Sequence, residues 1–345
     1  MRNDTRVAFN RLTTQIAQLS GVTSATESFA VEPSVQQRLE KRIQESSEFL
    51  GMVNVMGVDD LKGEKLGLGV TGPIAGRTDV SKNDRSPRDI TGLTVNDYEC
   101  ASTEFDTFIP WGKLDAWAKF PNFQGLVRDM IVRQQALDRI MIGFNGVQAA
   151  RETNRETYPL LQDVNKGWLQ QYRENAPERV MTSGKAGGNI LIGKAGDYLH
   201  LDALVVDAVN NLVEPWYQES TELVAVMGRQ MLADKYFPLI NRDNAPTEQR
   251  ALDLIVSQKR VGGLQAVRAP FVPNGAIFIT SLSNLSIYWQ NGSRRRYLRD
   301  QPKRKRVENY ESSNDAYVVE DYGFGCLIEN IEQLPEAAES EATTQ

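Results

Sequence analysis

Apolar side chains recur every three or four residues in some stretches of the chain and every second residue in others, and these two periods divide it into helices and strands. The first twenty residues carry Val7, Leu12, Ile16 and Leu19 at near-helical spacing with charges between them, which predicts a short amphipathic helix. A polar run of small residues, Ser20 to Ser28, follows it like a hinge, and a second helical period occupies Ser34 to Leu50. The strongest helical signal lies between Asn122 and Val147, where Phe123, Leu126, Val127, Met130, Ile131, Leu137, Ile140, Met141 and Phe144 fall on one stripe and Asn122 stands where a cap belongs. At a rise of about 1.5 Å per residue that helix is roughly 37 Å long, a spine for whatever packs on it. Asp202 to Val213 predicts another helix, stopped before Pro215, and Met231 to Ile240 a further one.

The alternating period marks strands at Lys65 to Val70, through Leu66, Leu68 and Val70, and at Tyr98 to Ile109. Between them Thr71 to Asp97 is rich in Gly, Pro, Asp, Arg and Thr and has little to bury. A compact domain rarely carries such a segment inside it. It reads as a long hairpin-like loop that projects from the body and is ordered by a neighbouring molecule. Further strands are expected at Leu223–Met227, Leu254–Ser257, Ala276–Thr280, Ser286–Trp289, Tyr317–Val319 and Cys326–Ile331, before an acidic tail from Pro335 to Gln345 that reads as disordered. Helices and strands are interspersed without internal repeat, an α+β pattern.

With 345 residues, 41% of them hydrophobic, the chain can bury a substantial core. No apolar run approaches the ~18 residues of a membrane-spanning helix and the N-terminus has no apolar signal block, so a cytoplasmic protein without membrane contact is expected. Cys100 and Cys326 stand alone, without the spacing of a zinc site, and read as reduced thiols. The net charge of −6 argues against a general nucleic-acid binder. One local exception is the run Arg294, Arg295, Arg296, Arg299, Lys303, Arg304, Lys305 and Arg306, interrupted by the single acid Asp300. It is dense enough to contact DNA phosphates or an acidic partner, or to form salt bridges between subunits.

Catalytic signals are weak. Gly67 to Gly72 fits GxGxxG, but Pro73 and a polar loop follow where a dinucleotide site requires a helix. Gly188 to Ala195 imitates a phosphate loop as far as Lys194, then has Ala195 where a magnesium-binding hydroxyl is needed, and its Asn-Ile-Leu-Ile centre reads as a buried strand between glycine turns. His200 is the sole histidine, and surface or structural placement is favoured for it. Acid pairs such as Asp59 with Asp60 and Glu320 with Asp321 are common on solvated faces. No enzyme, cofactor or metal is expected.

Blocks spread along nearly the whole chain carry a family resemblance. They are Val31-Glu32-Pro33-Ser34-Val35, Gln44-Glu45-Ser46-Ser47, Lys62-Gly63-Glu64-Lys65 leading into Gly69-Val70-Thr71-Gly72, and Phe144-Asn145-Gly146-Val147. Next come Asp202-Ala203-Leu204-Val205, Glu214-Pro215-Trp216-Tyr217-Gln218, Gly228-Arg229-Gln230, Ala233-Asp234-Lys235-Tyr236-Phe237-Pro238, Ser257-Gln258-Lys259-Arg260 and Arg306-Val307-Glu308-Asn309-Tyr310-Glu311. In this order they resemble the major capsid proteins of Peduovirus-type temperate tailed bacteriophages, which have the Hong Kong 97-like fold.

The resemblance implies a division of the chain: an N-terminal segment 1–29 removed on maturation, an arm 30–62, an extended loop 63–108, a peripheral domain with the spine helix at 109–200, an axial domain 201–291, a return to the periphery at 292–334 and a tail 335–345. It further implies assembly into the hexamers and pentamers of an icosahedral head in the host bacterial cytoplasm, around an internal scaffold with protease activity. A portal protein and packaged double-stranded DNA would be the other partners. Contacts between subunits are then expected at Arg38, Lys41 and Arg42 on the arm and at Leu66, Leu68, Val70, Arg77, Arg85 and Arg88 on the loop, with maturation cleavage close to Phe29 and Ala30 in the small-residue junction. Two other readings compete: an encapsulin-like cellular compartment on the same fold, and a nucleotide-dependent enzyme using Gly188 to Lys194.

Overall fold

The computed structural model describes residues 1–65, 75–82, 84–85, 97–117, 123–185, 187–240 and 259–334, with backbone alone at 123, 124, 126, 234 and 236–240. It divides into two compact units, one built from residues 1–142, 147–166 and 285–321 and the other from 143–146, 167–284 and 322 onwards.

The first unit opens with helix α1 (Asn3–Leu19), strand β1 (Phe29–Ala30) and helices α2 (Pro33–Glu45) and α3 (Glu48–Met52). The predicted helix Ser34–Leu50 is thus two: Ser46 turns its hydroxyl back to the Ile43 carbonyl at 2.7 Å, and Gln44 donates to the Val53 carbonyl at 3.0 Å across the break. Next come β2 (Asn54–Val58), β3 (Lys62–Glu64), β4 (Asp97–Glu99), β5 (Ala101–Glu104), β6 (Thr107–Pro110), α4 (Trp111–Trp117) and α5 (Phe123–Asn145). The expected strand at Tyr98–Ile109 is three short ones, and the one expected at Lys65–Val70 lies outside the described residues except for Lys65, which is not in a strand. β3 and β4 pair antiparallel, Gly63 opposite Tyr98, and so form the stem of a hairpin whose far part begins at Lys65.

The centre of this unit is a long, bent β-hairpin. β13 (Leu285–Gln290) and β14 (Arg295–Gln301) run out in succession, and β15 (Arg306–Val319) runs back beside both. Gln36 of α2 bridges the interruption between β13 and β14: its side chain donates to the Gln290 carbonyl at 3.2 Å and accepts from the Gly292 amide at 3.1 Å. Gly292 takes the left-handed φ of 68° that the bend requires. β5 and β6 pair with the other edge of β15, β2 adds to β13 and β1 to β14. Leu298 packs with Ala17, Ala25, Phe29 and Val31, while Val307 packs with Phe9, Leu114 and Val127.

The second unit holds α6 (Trp168–Asn175), β7 (Val180–Met181), β8 (Ile190–Ile192), α7 (Leu201–Leu212), β9 (Val224–Met227), α8 (Arg229–Ile240), β10 (Arg260–Val261), β11 (Leu264–Arg268), β12 (Ile277–Thr280), β16 (Gly325–Ile328) and β17 (Ile331–Gln333). Its six-stranded sheet has the order β10-β11-β9-β12-β16-β7, and β8 pairs with β17. Ile277 and Ile279 join Leu204, Val205 and Ala208 of α7 on one face, while Phe278 meets the Tyr172 ring of α6 edge-on at 5.2 Å on the other. Helices on both faces are why β9, β12 and β16 are buried throughout rather than alternating. Gly143 must lack a side chain, because a Cβ there would fall 2.3 Å from the Trp168 ring. The strand read at Cys326–Ile331 is broken by Asn330, whose φ is 56°, and the one expected at Leu254–Ser257 lies outside the described residues, as does the tail 335–345.

Candidate assembly surfaces

On α2, Arg38 and Lys41 are exposed and, among the described residues, engage only their own helix, Arg38 through the Ser34 carbonyl and Lys41 through Glu45 at 3.9 Å. Arg42 is held at 2.9 Å by Asp129 of α5. Both partners are half exposed, so the pair is worth less than about 1 kcal/mol and leaves Arg42 open to exchange for a neighbour's carboxylate. On the loop, Arg77 and Arg85 are exposed, whereas Leu66, Leu68, Val70 and Arg88 lie outside the described residues, as does the GxGxxG segment.

The opposite side of α2 carries Glu40, which sequence reasoning missed. Its carboxylate meets Arg139 of α5 and Arg294, the latter at 2.8 Å. Arg294 also reaches Glu311 at 3.1 Å and donates to the Gln135 side chain at 2.9 Å, while Gln135 donates back to Glu311 at 2.8 Å. Arg139 completes the set with Asp315 at 3.0 Å, and Ser313 donates to the same carboxylate at 2.9 Å. The five charged groups are fully or almost fully buried. Burial works to raise the Glu40 and Glu311 carboxyls, but the guanidiniums outweigh it and hold both below the ordinary range. Asp315 goes the other way: burial pushes it up, Arg139 offsets only part, and Glu40 adds repulsion. The junction therefore ties the arm, the spine helix and the long hairpin together in the first unit. In the sequence Arg294 stood out only as part of a basic run and Glu40 not at all, because the two lie 254 residues apart.

Arg294 accordingly leaves the basic run as a contact residue. It points inwards because the bend between β13 and β14 turns it towards α2 and α5, where no phosphate or partner can reach it. The remaining basic residues divide. Arg296 is half-buried and bonded to Asn309 at 3.1 Å. Arg306 lies 4.4 Å above the Phe108 ring and is paired with Glu308 at 2.6 Å. Arg295, Arg299, Lys303, Arg304 and Lys305 are exposed. Asp300, the interrupting acid, is held by Trp111 at 2.9 Å and Arg6 at 3.3 Å.

The expected cleavage junction is only partly open. Thr26, Glu27 and Ser28 are exposed, but Phe29 is 8% exposed and pairs with Arg296 in a ladder that Ala30 and Val31 continue. A protease that needs an extended, accessible chain meets Thr26–Ser28 first; to engage Phe29 itself it must lift β1 from β14.

The apparent phosphate loop is a buried strand, β8, with Gly188 and Gly193 at positive φ at its two ends, as its apolar centre implied. His200 is exposed just before α7 and makes no capping bond. Cys100 and Cys326 are buried free thiols, and burial pushes both up to about 12. No helix among the described residues is long and apolar enough to cross a membrane.

Comparison with known proteins gives the family to which these surfaces belong. A family model described as "Phage major capsid protein, P2 family" matches residues 8–331. The chain is 48% identical to the capsid proteins of Escherichia phage P2, covering 100% of this chain and 99% of that one. It is 42% identical to the major capsid protein of Serratia phage KSP20, over 96% and 97%. Among solved structures, a chain of the satellite phage P4 procapsid that includes the size determination (Sid) protein superposes with a TM-score of 0.81 at 48% identity, covering 96% of this chain and 99% of that one. The mixed helix-and-sheet architecture is therefore that of a phage shell subunit, as the sequence blocks implied.

Proposed function

Since the chain belongs to the P2 family of phage major capsid proteins, we propose that its copies close into the hexamers and pentamers of an icosahedral head that encloses double-stranded DNA. The observation that carries this reading is the full-length agreement with a procapsid chain, at a TM-score of 0.81, in a protein whose arm and loop stem carry exposed charge. A closed shell needs many modest contacts per subunit, and an arm and a projecting loop extend the buried area beyond one globular face. Arg38, Lys41 and Arg42 on the arm and Arg77, Arg85 and Arg88 on the loop are the guanidinium and ammonium groups suited to carboxylates of adjacent subunits. Leu66, Leu68 and Val70 would supply the apolar part of the loop contact.

Assembly proceeds in the host cytoplasm around an internal scaffold with a protease domain, with a portal protein at one vertex. The N-terminal segment is then trimmed next to Phe29 and Ala30. Support for that position is the exposed Thr26–Ser28 stretch directly before a strand that would keep the new terminus seated on β14. The rest of the basic run, Arg295 to Arg306, would meet DNA phosphates or an acidic partner. The encapsulin-like alternative lacks the support of the relatives at 48% and 42% identity, both of which are phage capsid proteins.

The test is electron microscopy of the chain produced alone and with its scaffold, paired with intact mass. Closed shells or capsomer rings are expected, with mature particles lacking the first ~28 residues; a monodisperse monomer in both preparations, or mature particles that keep Met1 to Ser28, would overturn the corresponding part.

A further inference from the structure

The sheet of the first unit stops at β5, but the layer beneath it does not. β5 pairs with β15 on one edge, and among the described residues nothing pairs with its other edge. Beside that open edge, between β5, the second half of α5 and the segment 149–164, lies a groove of about 920 Å³. Its charged lining holds four carboxylates, Glu104, Asp106, Asp138 and Glu152, against two guanidiniums, Arg151 and Arg155. Asp138 is half-buried, and burial keeps its carboxyl above the ordinary value, with only the Gln134 amide at 2.7 Å and the field of Arg155 to offset it. In the wall of the groove the buried hydroxyl of Thr103 has no hydrogen-bond partner, the one such side-chain atom among the described residues. The groove is thus negative, partly desolvated and short of donors.

The same chain carries the complement. Pro302–Arg304 form a single 3₁₀ turn that Lys305 closes in the left-handed conformation, and all four residues are exposed. Lys303, Arg304 and Lys305 form no ion pair among the described residues; Glu308, the acid within range of Arg304, is already bound by Arg306 and the Tyr310 hydroxyl. The turn caps one end of β15, whereas the groove opens beside Ser312–Asp315. At about 3.3 Å per residue, some 20–25 Å of strand separates the turn from the β5 wall at Glu104, the near end of the groove at Thr107 lying opposite Asn309. Among the described residues no ion pair joins the turn to the groove within one chain.

We propose that the basic turn Pro302–Lys305 of one copy docks in the acidic groove of a second copy, a head-to-tail contact between shell subunits. This rests on the shell reading above and gives it a specific pair of surfaces. Different patches on the two partners make the interface heterologous, the kind that generates rings when the rotation closes. Three donors enter a site with surplus carboxylates, and their charge falls beside Asp138, where burial leaves most to gain. A second copy is favoured over DNA because the groove supplies a matched, fixed complement on every subunit, one per turn.

The test is a charge swap in the full chain, produced with its scaffold and scored for closed shells by sedimentation and electron microscopy. Lys303→Glu with Arg304→Glu forms one variant, Glu104→Lys with Glu152→Lys another, and the four changes together a third. All four positions are exposed, so the soluble subunits should keep wild-type circular dichroism and melting. Each pair alone is expected to lower shell yield about tenfold or more, since a contact repeated around a ring multiplies its loss. The combination is expected to return it to within about threefold of wild type. Shell yields unchanged in both pairs, or a combination no better than the worse pair, would overturn the contact. So would normal shells from Lys303→Glu with Arg304→Glu that fail only to fill with DNA, which would assign the turn to phosphates. Absence of shells from the unchanged chain would instead remove the shell reading on which the contact rests.

Discussion

Arg294 and Arg295 are neighbours in the sequence and opposites in energy. Arg295 is exposed, whereas Arg294 is fully buried between Glu40, Glu311 and Gln135. Removing one partner of a buried ion pair leaves the other charge uncompensated and costs about 3–5 kcal/mol. Arg294→Met should lower the unfolding free energy of the first unit, measured by urea titration, by that amount, and Arg295→Ala should change it by less than about 0.5 kcal/mol; equal effects would mean that the junction is not closed in solution. Lys65 gives the matching test of pH. Burial lowers its ammonium from 10.5 to about 8, with Glu320 and Asp321 offsetting only part, and its Nζ donates to the Val319 carbonyl. Below about pH 8 the lysine is protonated in both folded and unfolded chains and contributes no slope. Between about 8 and 10.5 the unfolded chain holds the proton and the folded chain does not, so stability gains with rising pH across that window. Denaturant midpoints compared at the two ends of the window should show this gain in the wild type and not in Lys65→Met; parallel curves for the two proteins would refute the burial of the ammonium.

Among the elements, the bend between β13 and β14 depends on one side chain from outside the sheet. Gln36 is fully buried, supplies the acceptor for the Gly292 amide and shares the Gln290 carbonyl with Ser293. Gln36→Leu should cost roughly 1–2 kcal/mol, since the Gly292 amide is left unpaired while the Gln290 carbonyl keeps the Ser293 hydroxyl at 2.8 Å. Hydrogen exchange should speed up at Gly292 and in the adjoining ends of β13 and β14, but not in β9 or β12; exchange that rises in both units alike would count against a local splice. β13 itself was legible in the sequence, as were α5, α7, β9 and β12, because their partners are apolar and their burial shows as periodicity. β15 was legible only at Tyr317–Val319. Its other buried positions include Glu308, Asn309, Glu311, Ser313 and Asp315, polar residues whose partners lie in α5, in β14 and the bend before it, or in β15 itself, and that no local pattern distinguishes from a solvated loop. β14 was hidden for a related reason: its arginines read as a charge run, although Leu298 is buried between them at strand spacing. The arm and loop cations were found as exposed charge, but the inward residues opposite them required partners far away in sequence.

For the molecule as a whole, the loop and the body answer to different demands, and a deletion can separate them. β3 and β4 close the stem through their own ladder, Lys62 opposite Glu99 with a 2.8 Å ion pair, and Tyr98 stacks edge-on against Tyr288 at 5.1 Å. The stem is therefore fixed to the long hairpin without help from what lies beyond it. In the part of the loop beyond the stem that is described, residues 75–82, 84 and 85 are all exposed, and Val80, its largest apolar side chain, is 72% exposed. Such residues contribute almost nothing to the stability of one subunit, because little apolar area leaves water there. If they are kept for contact with a neighbour, the cost of removing them appears only on assembly. Deleting Thr78 to Asp89 should then leave a subunit whose melting temperature lies within about 2–3 °C of the full chain, the shift expected for less than 1 kcal/mol in a protein of this size. The same subunit should yield no closed shells with its scaffold. Normal shells from the deletion would detach the loop from assembly, and a collapsed melting temperature would show that the loop belongs to the fold of its own subunit.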